Sequence, residues 1–464
     1  MKDREHREHI ERSTDMTRGN PLTLIIRLAV PLILTNLGQQ MYQVADAAIV
    51  GRSVGVSAFA SLGACDWLYW IVLWSLTALT QGFSAVAARK FGAGDMDLFR
   101  RAVCMCVLVC AVFGCVLTGV CVSAAGPLLH LLHTEETIFA GARAYLIMMY
   151  GGTLIVLAYN MAGALLRAVG DGRTPLYAMA VAGVSNIGMD LLFVTWFGWG
   201  IPGAAAATLL AQLLSFLYCF AVIRRSPLFH VSVSDFRPDA GSIRELCRMG
   251  IPQALSQCVT ALGGVYAQSV INTFGYVVVA GCTAANKLHT FMDCSAVALG
   301  FACSTFVAQN YGAGRLDRVH AGMRRGIALA LIIAGAITAF MLLFGRPAVG
   351  LFLEKDMADA PAALDVAYRY VRVLACCLWA AYLMNLYRYT LQGIGNTVAP
   401  MLSGGVEMGA RVCAATFLPP VLGVTGLFFM DGSAWAAAGI FQGIAFYLSL
   451  HYIEKQKKNN DLRL

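Results

Sequence analysis

Charge is scarce in this chain. Of its 464 residues only 13% are Asp, Glu, Lys or Arg, where a soluble domain has about 25%. A soluble enzyme or a nucleic-acid-binding module is therefore not expected. There is no C-x-x-C pair among the 15 cysteines, which argues against a zinc ribbon or a redox dithiol. Most of these cysteines, such as Cys104, Cys106, Cys110, Cys115 and Cys121, lie inside apolar runs and read as buried free thiols. The chain also lacks G-x-x-x-x-G-K-[ST], so the phosphate cradle of an ATP-driven pump is missing.

What the sequence has is apolar length. Hydrophobic residues make up 58% of the chain and mean hydropathy is +0.67. Crossing about 30 Å of hydrocarbon takes about 20 residues of helix. The apolar runs predict twelve such helices, six between residues 22 and 223 and six between 245 and 453. The densely charged stretch 1–20 carries no apolar run and reads as a cytoplasmic tail rather than a cleaved signal. The predicted organisation is an all-α integral membrane protein: tail 1–20, an N-lobe of helices 1–6 at 21–223, a cytoplasmic linker at 224–244, a C-lobe of helices 7–12 at 245–453, and a tail at 454–464. Basic residues gather on one set of alternate loops, and only Arg52, Arg143, Arg346, Lys355, Arg369 and Arg372 fall on the other. Arg388 counts with the larger set, while Lys287 and Arg411 fall inside helices. Both termini are thus expected in the cytoplasm.

The two halves repeat. Arg27-Leu-Ala-Val-Pro31 matches Arg248-Met-Gly-Ile-Pro252, Ala88-Arg-Lys-Phe-Gly-Ala-Gly94 matches Ala308-Gln-Asn-Tyr-Gly-Ala-Gly314, and Leu166-Arg-Ala-Val-Gly170 matches Leu391-Gln-Gly-Ile-Gly395. Each half holds an even number of spans, so the copies share one orientation, as in transporters built from parallel repeats.

Within the spans a few polar residues carry chemistry. Asp46 and Asp190 are intramembrane acids, which are costly unless they face a partner, a cavity or an ion path. Asn186 and Asp190 are four apart and share a helix face. The alternative reading of Asp46 is a helix cap, and of Asp190 a hydrogen bond between helices. Pro31 interrupts the backbone ladder of helix 1 and is a candidate hinge. Glu407 and Arg411 form an i, i+4 pair, and with Lys287 and Asp293 they outline a possible C-lobe cavity. Lys287 can instead snorkel to an interface, and Asp66 is a further intramembrane acid without a motif partner. His130, His133, Glu135 and Glu136 share one external loop, where a polar loop explains them better than a metal site.

These motifs resemble the multidrug and toxic compound extrusion (MATE) family over nearly the whole chain. The resemblance is carried by Ala29-Val-Pro31, Asp46-Ala-Ala-Ile-Val-Gly51-Arg52, Gln81-Gly82 through Asp95, Leu165-Leu-Arg167-Ala-Val-Gly170-Asp-Gly-Arg-Thr-Pro175, Asn186-Ile-Gly-Met-Asp190 and Gly200-Ile-Pro-Gly203-Ala204. It implies two pseudo-symmetric six-helix lobes and export in exchange for protons or sodium ions, with no organic cofactor. Expected cargo is amphipathic, often cationic small molecules; the expected setting is a monomer in the lipid of the bacterial inner membrane, with no nucleic-acid partner. The N-lobe acids are similar to the DinF-like branch, which places coupling on Asp46, Asn160, Asn186, Asp190 and Thr208. The NorM-like branch has a Glu in helix 7 where this chain has Thr260. A lipid-linked precursor flippase of the same superfamily, or an integral-membrane enzyme, stays open as an alternative.

Overall fold

The computed structural model describes residues 15–54, 56–132, 134–353 and 359–461. The side chains of Arg52 and Asp66, and residues His133 and Lys355, lie outside this description. Twelve long helical spans follow one another: α1 (Pro21–Val54), α2 (Val56–Gly92), α3 (Met96–Leu131), α4 in two pieces (Glu136–Gly151 and Thr153–Ala168), α5 (Arg173–Asp190), α6 (Gly200–Arg225), α7 (Ala240–Asn272), α8 (Tyr276–Gly312), α9 (Leu316–Gly350), α10 (Ala360–Gly393), α11 (Val398–Phe417) and α12 (Met430–Asp461). The two pieces of α4 bend by 45°. Among the described residues, α4 and nine other spans are long and apolar enough to cross a membrane. The remaining two, α7 and α11, carry more polar side chains, several of which form the C-lobe network described below.

The chain divides into two packing units. One contains Val30–Ala254, the other Met16–Ala29 together with the residues from Leu255 onward. The boundaries fall inside α1 and α7, each within two residues of Pro31 or Pro252. The start of each half is thus packed with the other half's helices, which a division at the linker does not anticipate. In the second unit the Met16 amide donates to Gln309 Oε1 (2.9 Å) and its carbonyl accepts from Asn310 Nδ2 (3.0 Å). In the first, Arg89 and Lys90 pair with Glu245 at 3.1 and 3.5 Å. Gln309-Asn310 and Arg89-Lys90 are equivalent positions of the repeat.

The repeat is visible in the turns themselves. Ala93 donates to the Arg89 carbonyl and Gly94 to Phe91; Ala313 donates to Gln309 and Gly314 to Tyr311, all at 3.0 Å. Gly94 and Gly314 take φ +77 and +70, a left-handed conformation that a side chain disfavours, which is why both copies keep glycine there. Asp171 and Asn396 then hold the starts of α5 and α11. Asp171 Oδ1 accepts from the amides of Arg173 and Thr174 (3.0 Å each), and Asn396 Oδ1 from the amide of Ala399 (3.1 Å).

Small residues let the helices approach. In the first unit, a Cβ on Gly82 of α2 would come within 2.6 Å of the Met249 carbonyl oxygen on α7. In the second, Gly300 of α8 faces Tyr389 and the Asn385 carbonyl of α10, and Phe301 meets the Tyr389 ring edge-on at 4.7 Å. All 15 cysteines are free thiols, nine of them buried.

Candidate functional site

Helices α1 and α5 run in parallel register. Gly38 faces Met179, and Gly183 faces the Tyr42 ring, where an added Cβ would lie 3.5 Å from it, an offset of 141 residues in both cases. One turn beyond Tyr42 comes Asp46, and two turns beyond Gly183 comes Asp190. This register brings the two carboxyl groups within interaction range of each other. Immediately after Asp190 the helix widens into a π turn, Leu191–Trp196. A π turn accommodates one extra residue, and the register shows it: the hydroxyls of Ser53 and Thr195 meet at 3.2 Å, an offset of 142. Val50, Val194 and Ala204 close this end of the site with apolar packing between α1, the π turn and α6.

Asp190 and Asn186 are fully buried. Both oxygens of Asp190, both amide atoms of Asn186 and Oδ1 of Asp46 are buried without a hydrogen-bond partner among the described residues. Buried polar atoms are otherwise almost always paired, and an unpaired buried charge is expensive. Five such atoms in one place make this the most polar buried point between α1 and α5. Tyrosines stand beside the cluster: Tyr42, which sequence reading did not single out, lies beside Asp46, Tyr69 and Tyr159, and Tyr69, which reads from the sequence as one of the aromatics at helix ends, lies beside Gln212. The four-residue step from Tyr42 to Asp46 on one helix face was the available signal.

Of the other residues expected here, Asn160 points to α2, where its Oδ1 accepts from Thr77 Oγ1 at 3.5 Å while its Nδ2 donates to the Val156 carbonyl. Thr208 is half-buried on α6. Neither hydrogen-bonds to Asp190. Pro31 is followed by Thr35, whose hydroxyl returns a 2.8 Å bond to the Pro31 carbonyl.

The second unit holds a buried ionic network. Glu407 Oε2 accepts from Arg388 at 2.5 Å, and Oε1 from Arg411 at 3.1 Å. Arg411 Nε reaches Asp431 Oδ1 at 3.0 Å, and the other Asp431 oxygen accepts from the Tyr370 hydroxyl at 2.8 Å. Thr260 and Gln257 of α7 add longer contacts, 3.4 Å to Glu407 and 3.5 Å to Arg388. Thr260 thus stands next to a carboxylate that α11 supplies. Asp293 lies beside His289 and Arg388 and accepts a 3.5 Å contact from Asn385, while the His289 ring stacks on Trp435 at 4.9 Å.

Three of the four residues expected in the C-lobe, Asp293, Glu407 and Arg411, therefore come together, and the fourth does not. Lys287 is exposed on α8, because at position 287 the α8 face in contact with α10 has turned away. Arg388, counted among the cytoplasmic basic residues, is instead buried in α10 with 7% of its side chain exposed. Its charge is matched by Glu407, nineteen residues downstream and across a turn. His130, expected on a loop, lies in the last turn of α3 and packs its ring against Phe139 at 4.4 Å, while Glu136 begins the first piece of α4.

Comparison with known proteins fits this architecture. The MatE family model matches residues 31–192 and 252–415, one block per half. A probable multidrug resistance protein, YpnP of Bacillus subtilis (strain 168), is 28% identical over 84% of this chain and 85% of its own. A probable multidrug resistance protein NorM of Thermotoga maritima is 25% identical, covering 92% and 90%. A transporter of the MOP superfamily from Pyrococcus furiosus has the same fold, with a TM-score of 0.89 at 22% identity over 95% of this chain and 98% of that one. An outward-facing multidrug resistance MATE transporter superposes with a TM-score of 0.87, at the same identity and coverage. With the family model covering more than half of the residues in two collinear blocks, the chain belongs to the MatE family: it is a multi-pass membrane transporter and not an enzyme.

Proposed function

We propose that this transporter is a secondary active antiporter that exports amphipathic, often cationic small molecules in exchange for protons or sodium ions, with coupling at Asp46 and Asp190. The observation that carries the reading is the group of unpartnered buried atoms on Asp46, Asn186 and Asp190. Two ionised carboxylates buried side by side repel each other strongly. A proton shared between them, or a sodium ion held by their oxygens with that of Asn186, removes the repulsion. Release of that ion leaves two charges that favour a rearranged or rehydrated site, which biases the conformation in alternating access. Helices α1 and α7 change packing unit beside Pro31 and Pro252, where each ladder lacks a backbone donor. These are the points where the chain flexes in this mechanism.

The test is ethidium accumulation in a pump-deficient bacterial host expressing wild type, Asp46→Asn or Asp190→Asn. Wild type is expected to lower accumulation until the proton or sodium gradient is collapsed, and both variants to accumulate dye like the empty host at equal membrane expression. Variants that export as well as wild type refute the coupling assignment. One relative, a FAD transporter of Shewanella oneidensis that is 23% identical over 71% of this chain, makes an anionic dinucleotide a worthwhile second cargo.

A further inference from the structure

In the second unit, α10 and α12 run parallel in close register. Gly432 faces Cys377, Gly439 faces the backbone of Met384, and Gly443 faces the Tyr387 ring, each so closely that an added Cβ would touch its neighbour. Beside this seam the two helices leave an open groove of about 500 Å³, lined on α10 by Trp379, Leu383 and Tyr387 and on α12 by Trp435, Ile440 and Tyr447. The wall is almost wholly apolar, and Trp379 and Ile440 are 50% and 64% exposed. On α12 the groove extends from Trp435 to Leu448, about 20 Å of helix at 1.5 Å per residue. One leaflet's hydrocarbon is about 15 Å deep, so a single acyl chain fits along it.

The face that lines the groove continues past its end. Steps of three and four residues from Tyr447 lead to His451, Lys455 and Lys458, all exposed. Neighbouring polar groups are already engaged: Glu454 bonds His320 at 2.6 Å, Lys457 donates to the Gly314 carbonyl at 3.1 Å, and Gln456 bonds Tyr452. The basic side chains in line with the groove are left facing outward at the depth where an apolar trough gives way to a polar helix end.

We propose that this groove is a phospholipid site: it seats one acyl chain of an anionic lipid, whose headgroup phosphate lies against His451, Lys455 and Lys458. The charge follows from Lys455 and Lys458, and the chain-like ligand from the length and apolar lining of the trough. The site is separate from the Asp46–Asp190 site and does not depend on the coupling assigned there.

The experiment uses tryptophan quenching. The full chain is reconstituted in phosphatidylcholine bilayers holding small mole fractions of bromine-labelled phosphatidylglycerol or bromine-labelled phosphatidylcholine, and the difference between wild type and Trp379→Phe isolates the emission of Trp379, one of the two tryptophans in the groove. Labelled phosphatidylglycerol is expected to quench that emission at a several-fold lower mole fraction. Replacing Lys455 and Lys458 by Gln, both at exposed positions that do not endanger folding, is expected to reduce the preference about five-fold for each charge removed. Equal quenching by the two labelled lipids overturns the proposal. So does a preference that survives the double replacement, or a quench relieved by ethidium, which would make the groove a cargo site.

Discussion

Replacing Glu407 by Gln removes the charge that holds two buried guanidinium groups together. Arg388, Glu407 and Arg411 are 7%, 3% and 7% exposed, so water cannot make good the loss. Arg411 keeps Asp431 at 3.0 Å. Arg388 does not fare as well: its other hydrogen-bonding contacts are the Gln257 oxygen at 3.5 Å and the Met384 sulfur at 3.6 Å, neither of them charged, and Asp293 lies nearby without an ion pair to it. Stranding one buried charge in this way costs about 3–5 kcal/mol. At about 2–4 °C per kcal/mol for a unit of this size, the melting temperature falls by roughly 6–20 °C. The assay is thermal unfolding of purified protein in detergent, followed by the monodisperse fraction on size exclusion. Arg388→Met combined with Glu407→Gln removes the stranded charge and is expected to recover most of the loss, since apolar replacements for buried pairs are often neutral. If Glu407→Gln melts within a degree of wild type, or the double variant is less stable than the single, Glu407 is not the counter-charge of Arg388.

Three further outcomes follow from other parts of the molecule. Gly82→Ala puts a methyl group 2.6 Å from the Met249 carbonyl, where only backbone can move; a loss of about 1–3 kcal/mol is expected, read as a lower melting temperature. In the linker, hydrogen bonds from Ser232 and from Ser242 hold the Asp235 and Asp239 carboxyls below their ordinary range. The structure they support is therefore fully present above that range and is lost as pH falls through the lowered values. Pepsin cleavage of residues 226–240, followed by mass spectrometry, should accordingly set in only at pH below the usual Asp range. Asp190→Asn keeps the shape of the site and removes its charge, so export should be lost while the melting temperature holds or rises; a lower melting temperature would show that the ionised pair is stabilising.

Much of this was legible in the sequence because bilayer thickness and loop chemistry leave few choices. The twelve spans follow from apolar length, and the repeat from turns that need glycine at Gly94 and Gly314 and a capping side chain at Asp171 and Asn396. Asp46 and Asp190 stood out because acids are rare inside spans. Their proximity rests on something less visible, the α1/α5 register set by Gly38 and Gly183, and the π turn after Asp190 has no sequence signature. The C-lobe network was half legible. Glu407 and Arg411 share a helix, so their spacing betrays them, whereas Arg388 and Asp431 sit near helix ends and look like loop charges until tertiary packing pairs them. The exchange of helix starts at Pro31 and Pro252 is likewise tertiary: the prolines are plain in the sequence, but the side on which each preceding segment packs is not.

The central claim is that an ion bound at Asp46 and Asp190 drives export. It is tested most directly by ethidium efflux from proteoliposomes under an imposed pH gradient or an imposed sodium gradient, with wild type and Asp190→Asn compared at equal incorporation. Efflux that follows one of the two gradients in wild type and is abolished in Asp190→Asn is the predicted result. Gradient-driven efflux that persists in Asp190→Asn would contradict the account.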